Sequence, residues 1–595
     1  MKKNITPNFL FLFGCLALLF WISPFGFAQK EMIPKIYTHT PLTNVSDKVV
    51  QGGVLIVGTG GAILENSVIV IQNGKISAVG ASGEVDIPQN SEIIDVKGHY
   101  VLPAFIDGHI HSRGWDGELF LAHGITTVVD LGNLTEWIVA MRDGLNRSKI
   151  RGPRMMTSGS SIRGPFGSEK EFRRFHHVVV TSPEEARQEA KKRIEAGVDA
   201  LKVYDGLTKE MLQAIIEEAR QKGLPVAGHT SNAWQAVEVG YNMIVHTPGV
   251  AMACLPEGIK IGQADPHAFM DWKIADKLIK FMVEKDVFLN PTMRSAWNWA
   301  YRDEYQYEDF NLLFNDKNLR YIPLNFRLAI LREYNRIGQY ALQDLPPDFK
   351  AMKLKAHKNM VEFVRRFANQ GGKVMTGSDT LATSGLSLHQ ELQILVDYVG
   401  MSPHEAILTV TKHPAEMYRM TDRLGSVQVG RSADLLVVKG NPLENIRNTR
   451  NVEMVFQEGR QVDINYHANY RNPIFKSTPE DTGHMIPSPV IEDLSPKAFI
   501  QDQKEAWLTL HGSGFTRYSL VGLKGRKLIP NFVSEFELEV EIPLSLLEEA
   551  GTFAIEITNV PGPVGTIKAN GQSELRHLGS RDETSNTFYL VVGFK

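Results

Sequence analysis

Cysteine is nearly missing from this chain: its 595 residues contain only Cys15 and Cys254. A sulfur-rich metal site is therefore excluded, and any metal ligands must be His, carboxylate or a modified Lys. A basic excess is missing too. Lys and Arg number 64 against 67 for Asp and Glu, a formal net charge of −3, which gives no electrostatic footprint for nucleic acid. A long apolar run is also missing. The one candidate, residues 9–22, is short for a bilayer span.

That run follows Lys2-Lys3 and precedes Gly26 and Ala28, small residues three and one positions before a cut ahead of Gln29. Residues 1–28 read as a secretory signal peptide; an uncleaved N-terminal anchor is the alternative. Leu12-Phe13-Gly14-Cys15 is a faint lipoprotein box, but the apolar run continues past Cys15. An exported chain, periplasmic or secreted, with Cys254 alone after cleavage has no internal disulfide. Its stability must come from core packing and bound metal.

With 43% hydrophobic and 22% charged residues, the chain is ordinary for a globular protein but too long for one core. The pattern divides it. Residues 53–57, 67–71 and 75–79 are β-branched runs separated by Gly60-Gly61 and Asn73-Gly74 turn signals, a small antiparallel unit ending near residue 99. Residues 101–418 alternate strand and helix patterns, with Ser182 a helix N-cap candidate. Repetition of βα units over about 300 residues predicts a (β/α)8 TIM barrel. Residues 297–355 are too long for an ordinary loop and predict an inserted lid. Segments 425–438 and 452–456 return to strand pattern and are placed to complete the N-terminal β unit, so 29–100 and 419–470 form one small composite β-sandwich. After a polar linker, 471–488, short strands with Gly and Pro turns over 489–595 predict a second β-sandwich.

The chemistry starts at Phe105-Ile106-Asp107-Gly108-His109-Ile110-His111. An apolar strand leads into two histidines at i and i+2, which share a face and can reach one metal ion. Further ligand-capable side chains sit at later predicted strand ends: Lys202 on the fourth, His229 on the fifth, His246 on the sixth and Asp379 on the last. Barrel enzymes carry their catalytic groups on that face.

In these residues the chain resembles the metal-dependent amidohydrolase superfamily, in its imidazolonepropionase-like and Xaa-Pro dipeptidase-like branch. The resemblance spans about residues 50–465 and includes the lead-in 94–103, Thr376-Gly377-Ser378-Asp379 and the return segment 425–438. It implies two divalent ions, with zinc the expected metal. His109, His111 and Asp379 would hold the more buried ion and His229 and His246 the second. Lys202, carboxylated by carbon dioxide, would bridge them, because an ammonium cannot ligate a cation. A structural salt bridge to Asp205 is the competing role for Lys202, and a mononuclear site stays open. The implied reaction is attack of a metal-activated hydroxide on an amide or peptide bond, with Asp379 moving the proton. Ser378 has no assigned chemistry. Two departures stand out. Val245-His246-Thr247 replaces the family's frequent Glu-His-Gly, and the stretch from His229 to Gly240 is about one helical turn short, which leaves the His229 position open by a residue.

Candidate substrate groups are Tyr204, on the same strand face as Lys202, then Arg163, Arg294 and His389. For the arginines a solvated or structural role competes, and for His389 a helix-capping one. Asp130 reads as structural. The tail resembles an immunoglobulin-like IPT/TIG fold in 491–496, 510–515 and Ser585-Asn586; such a fold names no ligand. The expectation is an exported amidohydrolase acting on a small-molecule or dipeptide-like substrate, a dipeptidase or N-acyl amino acid hydrolase, with a homo-oligomer left open. The alternatives are a lactonase or other hydrolase on the same scaffold, and a non-catalytic exported binding protein.

Overall fold

A computed structural model describes residues 46–593 except 62, 166–176, 262–263, 295–318, 320–346, 380–382, 468–488, 502, 517–518, 535, 560–582 and 585–586. The expected signal peptide, the linker, the greater part of the lid and Ser585-Asn586 lie outside the described residues.

The strand Phe105–Ile110 starts a series of parallel strands. It pairs with Ile125–Asp130, which pairs with Arg154–Thr157. A six-stranded parallel sheet follows in the order Val178–Val179, Ile162–Arg163, Leu201–Val203, Val226–Gly228, Met243–Val245 and Phe288–Asn290. Beyond it, Val374 bridges Leu289 in parallel. The same segment returns to the first strand, where Gly108 N donates to Thr376 O at 3.3 Å and Asp379 N to His109 O at 2.8 Å. Helices separate these strands, among them Pro183–Glu195, Lys209–Gln221, Ala233–Val239 and Trp272–Glu284. Ser182 caps the first of these by accepting from Glu185 N, as its sequence predicts. Ala200 and Ala227 lie two residues before Lys202 and His229, so each pair shares a strand face. Both alanines belong to one buried apolar cluster with Met243, Val245, Phe288 and Met375.

Flanking segments build two further sheets. One runs Lys75–Ala81, Ser67–Gln72, Lys48–Gln51, Glu92–Asp95. It is mixed rather than antiparallel, because Lys48–Gln51 pairs in parallel with Glu92–Asp95, two strands the sequence pattern did not mark. The other takes three strands from each side of the central region: Arg460–Val462, Val452–Gln457, Leu435–Lys439, His99–Pro103, Val54–Ile56, Ile63–Leu64. Leu435–Lys439 lies antiparallel to His99–Pro103, which is the expected completion of the N-terminal unit. Its continuous apolar run has a two-sided cause. Leu436 and Val438 face the central core, while Leu435 and Val437 face the core between the flanking sheets. Of the segment expected as strand from 425, only this last part is one. Gly425 (φ 90°) and Gly430 (φ 88°) adopt left-handed backbone that breaks a strand.

The tail forms two sheets, Val490–Ser495, Trp507–Ser513, Glu537–Glu541, Asn531–Ser534 and Ala498–Ile500, Phe588–Gly593, Gly551–Asn559, Ser519–Leu523, Arg526–Leu528. Leu508, Leu510, Leu538 and Val540 from the first share a core with Val521, Ile555, Ile557 and Leu590 from the second. Among the described residues no helix is long and apolar enough to cross a membrane.

Arg154 joins the central strands to the return segment. Its guanidinium donates to Thr127 Oγ1 (2.9 Å), Asp434 Oδ2 (3.2 Å) and Glu458 Oε1 (2.7 Å). Removing it strands a buried Asp434 carboxylate. Arg154→Ala should lower the unfolding free energy by about 3 kcal/mol, read from urea denaturation; a loss below about 1 kcal/mol would place this pair among screened surface contacts.

Candidate active site

His109 is fully buried near the end of the first strand, and His111 lies just beyond it. Pairing with the next strand is irregular between Asp107 and Ile110, which re-aims the side chains. Asp379 faces both histidines. Its Oδ1 is 3.4 Å from His109 Nε2 and 3.2 Å from His111 Nε2, and its Oδ2 is 3.8 Å from His246 Nε2. Ligand atoms of His109, His111 and Asp379 all lie within 4.8 Å of one another, a group that could bind a metal ion.

His229 and His246 complete a ring of imidazoles. Their centroids are 4.5 Å apart, and His246 is 5.7 Å from His109. Asp379 (φ 56°) and His246 (φ 64°) both adopt left-handed backbone, a strain that marks functional sites when the surroundings hold it. His229 itself reaches the cluster, with no shift of a residue. The shortened stretch after it accommodates the seven-residue helix Ala233–Val239, capped by Asn232.

Lys202 lies among these groups, 1% exposed, and its Nζ makes no hydrogen bond. A salt bridge to Asp205 does not form. Burial pushes the Lys202 ammonium down to about 7. Burial, reinforced by neighbouring positive groups, likewise holds His109 and His229 well below the usual imidazole value, and burial takes His246 to about 4. Neutral imidazoles are the ligand form. Burial alone would raise Asp379, yet His111, His246 and Lys202 hold its carboxyl below the usual range.

The supporting contacts are specific. Gly132 O lies 3.0 Å from His111 Nδ1, and Thr292 Oγ1 bonds His246 Nδ1. Partners of this kind fix which ring nitrogen faces a metal. Ser378, without assigned chemistry in the sequence, donates its N–H (2.9 Å) and Oγ–H (2.6 Å) to Asp107 and so anchors the neighbouring Asp379. Asp107 is fully buried and burial pushes it up to about 7. Asp107 and Thr292 were missed from the sequence; only the i−2 spacing of Asp107 from His109 signalled its face.

Tyr204 stacks on His229 at 3.8 Å, with His177 on it at 4.6 Å and the Arg163 guanidinium 5.3 Å from its ring centre. Tyr204 and Arg163 are therefore beside the cluster. The other two substrate candidates are held elsewhere. Arg294 Nε donates to Gln390 at 2.5 Å. His389 lies inside the helix Leu386–Ile394 rather than at its start, and its ring nitrogens bond Thr449 Oγ1 and His123 O, each at 2.9 Å. Asp130 accepts from Ser112 N, Gly132 N and Asn133 Nδ2, shaping the loop after His111.

Ligand-capable side chains gathered at the ends of parallel strands, imidazoles around a carboxylate, are the arrangement that could hold a metal ion in an α/β enzyme. The chain belongs to the amidohydrolase family, whose sequence profile matches residues 118–462, a span that begins just after His109 and His111. It is similar to the solved structure of a putative prolidase from Bifidobacterium longum, with 25% identity, a TM-score of 0.54, and coverage of 71% of this chain and 95% of that one. A Xaa-Pro dipeptidase solved with bound methionine aligns at 22% identity and TM-score 0.53, covering 70% and 100%. Such neighbours imply a TIM-barrel-type α/β fold. Among curated sequences, an adenine deaminase of Staphylothermus marinus is 34% identical over 123 residues, 18% of this chain and 20% of that protein. The chain thus spans a fifth of that relative's length, and 8% of that of an adenine deaminase from Clostridium botulinum. Family membership supports a hydrolase acting on C–N bonds.

His389→Ala removes two buried hydrogen bonds outside the ligand cluster. It should lower stability by roughly 3 kcal/mol in thermal or urea unfolding while leaving metal content per chain unchanged. A variant of wild-type stability with reduced metal content would return His389 to the site.

Proposed function

We propose that this protein is an exported hydrolase that cleaves the amide or peptide bond of a dipeptide or N-acyl amino acid, using two divalent ions of zinc type. His109, His111 and Asp379 would hold one ion and His229 and His246 the other, with a carboxylated Lys202 as a further ligand. The barrel is read as a closed (β/α)8 unit, and the two-sheet tail as an immunoglobulin-like module.

Lys202 carries the reading. A buried ammonium with no hydrogen-bond partner, set among four imidazoles, is unfavourable as a cation. Near neutral pH its lowered pKa leaves a large fraction as neutral amine. That lone pair can add to the carbon of carbon dioxide. A C–N bond forms as one C=O π bond of carbon dioxide opens, one proton leaves the nitrogen for solvent, and the product is a carbamate whose single negative charge is shared by two oxygens, in place of a repelling cation.

Bound divalent ions would supply Lewis acidity and bring the pKa of water toward neutrality. The residues of the chain do the rest. Asp379, kept ionised, accepts the proton of the attacking water and returns it to the leaving amine. Tyr204, held by stacking between His177 and His229, positions the substrate carbonyl or carboxylate, and Arg163 beside it balances an anionic end. A dipeptide-like molecule presents both groups. A lactonase would use the same Asp379 and Lys202 and differ only in its leaving oxygen; a binding protein would have little reason to keep Lys202 buried.

Mature protein purified without chelator should contain about two ions per chain and turn over members of a dipeptide and N-acyl amino acid panel. Lys202→Ala should lose turnover and a large part of the metal, and a carbamate carbon should be visible by NMR after supply of labelled bicarbonate. About one ion per chain with a silent carbamate region would reassign Lys202. No metal and no turnover after restoring zinc and bicarbonate would favour the binding protein.

A further inference from the structure

Two polar side chains beside the ligand cluster have no hydrogen-bond partner although both are fully buried. One is His109, at both ring nitrogens; the other is Asn290, at both Oδ1 and Nδ2. Native structures keep few such groups, and each calls for a physical cause. For His109 Nε2 the cause is its position facing Asp379 and the ligand group. The cause for His109 Nδ1 and for the Asn290 amide is not supplied by the ion.

Both residues border Gly377. A methyl group placed on Gly377 would fall 2.3 Å from His109 Cβ, 2.5 Å from His109 N and 2.6 Å from Asn290 Nδ2, so the absence of a side chain at 377 lets both approach the same point. Asn290 ends the strand Phe288–Asn290, and its carbonyl accepts the His246 N–H at 2.8 Å. Two residues on, Thr292 bonds the His246 ring. Thr292 adopts φ 45°, an outlier for a β-branched residue that persists only where surroundings over-determine it. The backbone of Asn290 and the side chain of Thr292 therefore already support one ligand, His246.

We propose that the Asn290 side chain supports the other: Asn290 is a positioning residue for His109, its amide oxygen holding the Nδ1–H through one buried water and thereby fixing Nε2 as the metal-facing nitrogen. Residues Asn290-Pro291-Thr292 then hold a ligand of each ion in the proposed pair. The amide is 0% exposed, so its partner is a neighbouring protein group or a buried water and not substrate. Burial also makes the arrangement consequential, because an orphaned amide and an orphaned ring N–H each cost about 1–3 kcal/mol.

This inference rests on the metal-site reading, and the experiment separates the two. Wild type, Asn290→Leu, Asn290→Asp and Asn290→Ala are titrated with zinc against a competing chelator and with cobalt(II) for its visible spectrum. Asn290→Leu should weaken the tighter ion about 10- to 100-fold and alter the cobalt(II) bands. Asn290→Asp, which keeps an acceptor for the Nδ1–H, should stay within about threefold of wild type and restore the spectrum. If Asn290→Leu does not fold, Asn290→Ala is read by the same criteria, since it removes the amide without adding bulk. Folded Leu or Ala variants that bind zinc as tightly as wild type overturn the role of Asn290 while leaving the metal site in place. An equal loss in the Asp, Leu and Ala variants overturns it too, since only packing would then matter. A wild type that binds neither ion overturns both readings.

Discussion

Desolvation at the ends of the parallel strands is the constraint on which the rest of this structure depends. Lys202 and His109 are fully buried and His229 and His246 largely so, and burial lowers the proton affinity of each. A ring of charged imidazoles and ammonium would repel itself. A ring of neutral bases around a carboxylate is instead a receptor for cations. Ligand basicity without protonation is what a divalent ion requires, and burial supplies it before any ion arrives.

The scaffold shows what holding such groups costs. Asp379, His246 and Thr292 keep left-handed backbone without being glycine. The surrounding bonds fix them: Asp379 N to His109 O, His246 N to Asn290 O, Ser378 to Asp107. The neighbouring strands contribute Ala200, Ala227, Met243, Val245, Phe288 and Met375 to one buried apolar cluster, which packs these strands together.

Much of this was legible in the chain. The i, i+2 spacing of His109 and His111 and the placement of Lys202, His229, His246 and Asp379 after apolar runs named the cluster, because strand ends are marked by a change from apolar to polar residues. The βα alternation gave the parallel strands, and 435–438 gave the return strand. Reading failed where the signal was conformational. Gly425 and Gly430 interrupt an otherwise strand-like segment, and the short strands Arg154–Thr157 and Ile162–Arg163 have no clean alternation. His389 and Arg294 looked like site residues because a polar residue near a strand end is ambiguous until its partners are known.

The sequence by itself determined the candidate set: four imidazoles, one carboxylate and one lysine at strand ends, with almost no cysteine to offer sulfur. Those properties belong to residue types and to local spacing, which the chain carries directly. Only the tertiary structure decided which of the polar candidates converge. Asp107 reaches Ser378 across 271 positions of chain, His389 reaches Thr449 and His123, and both His109 and Asn290 border Gly377. Contacts of that range depend on how strands distant in sequence are laid side by side, and burial, which sets the protonation of Lys202 and its neighbours, exists only once they are.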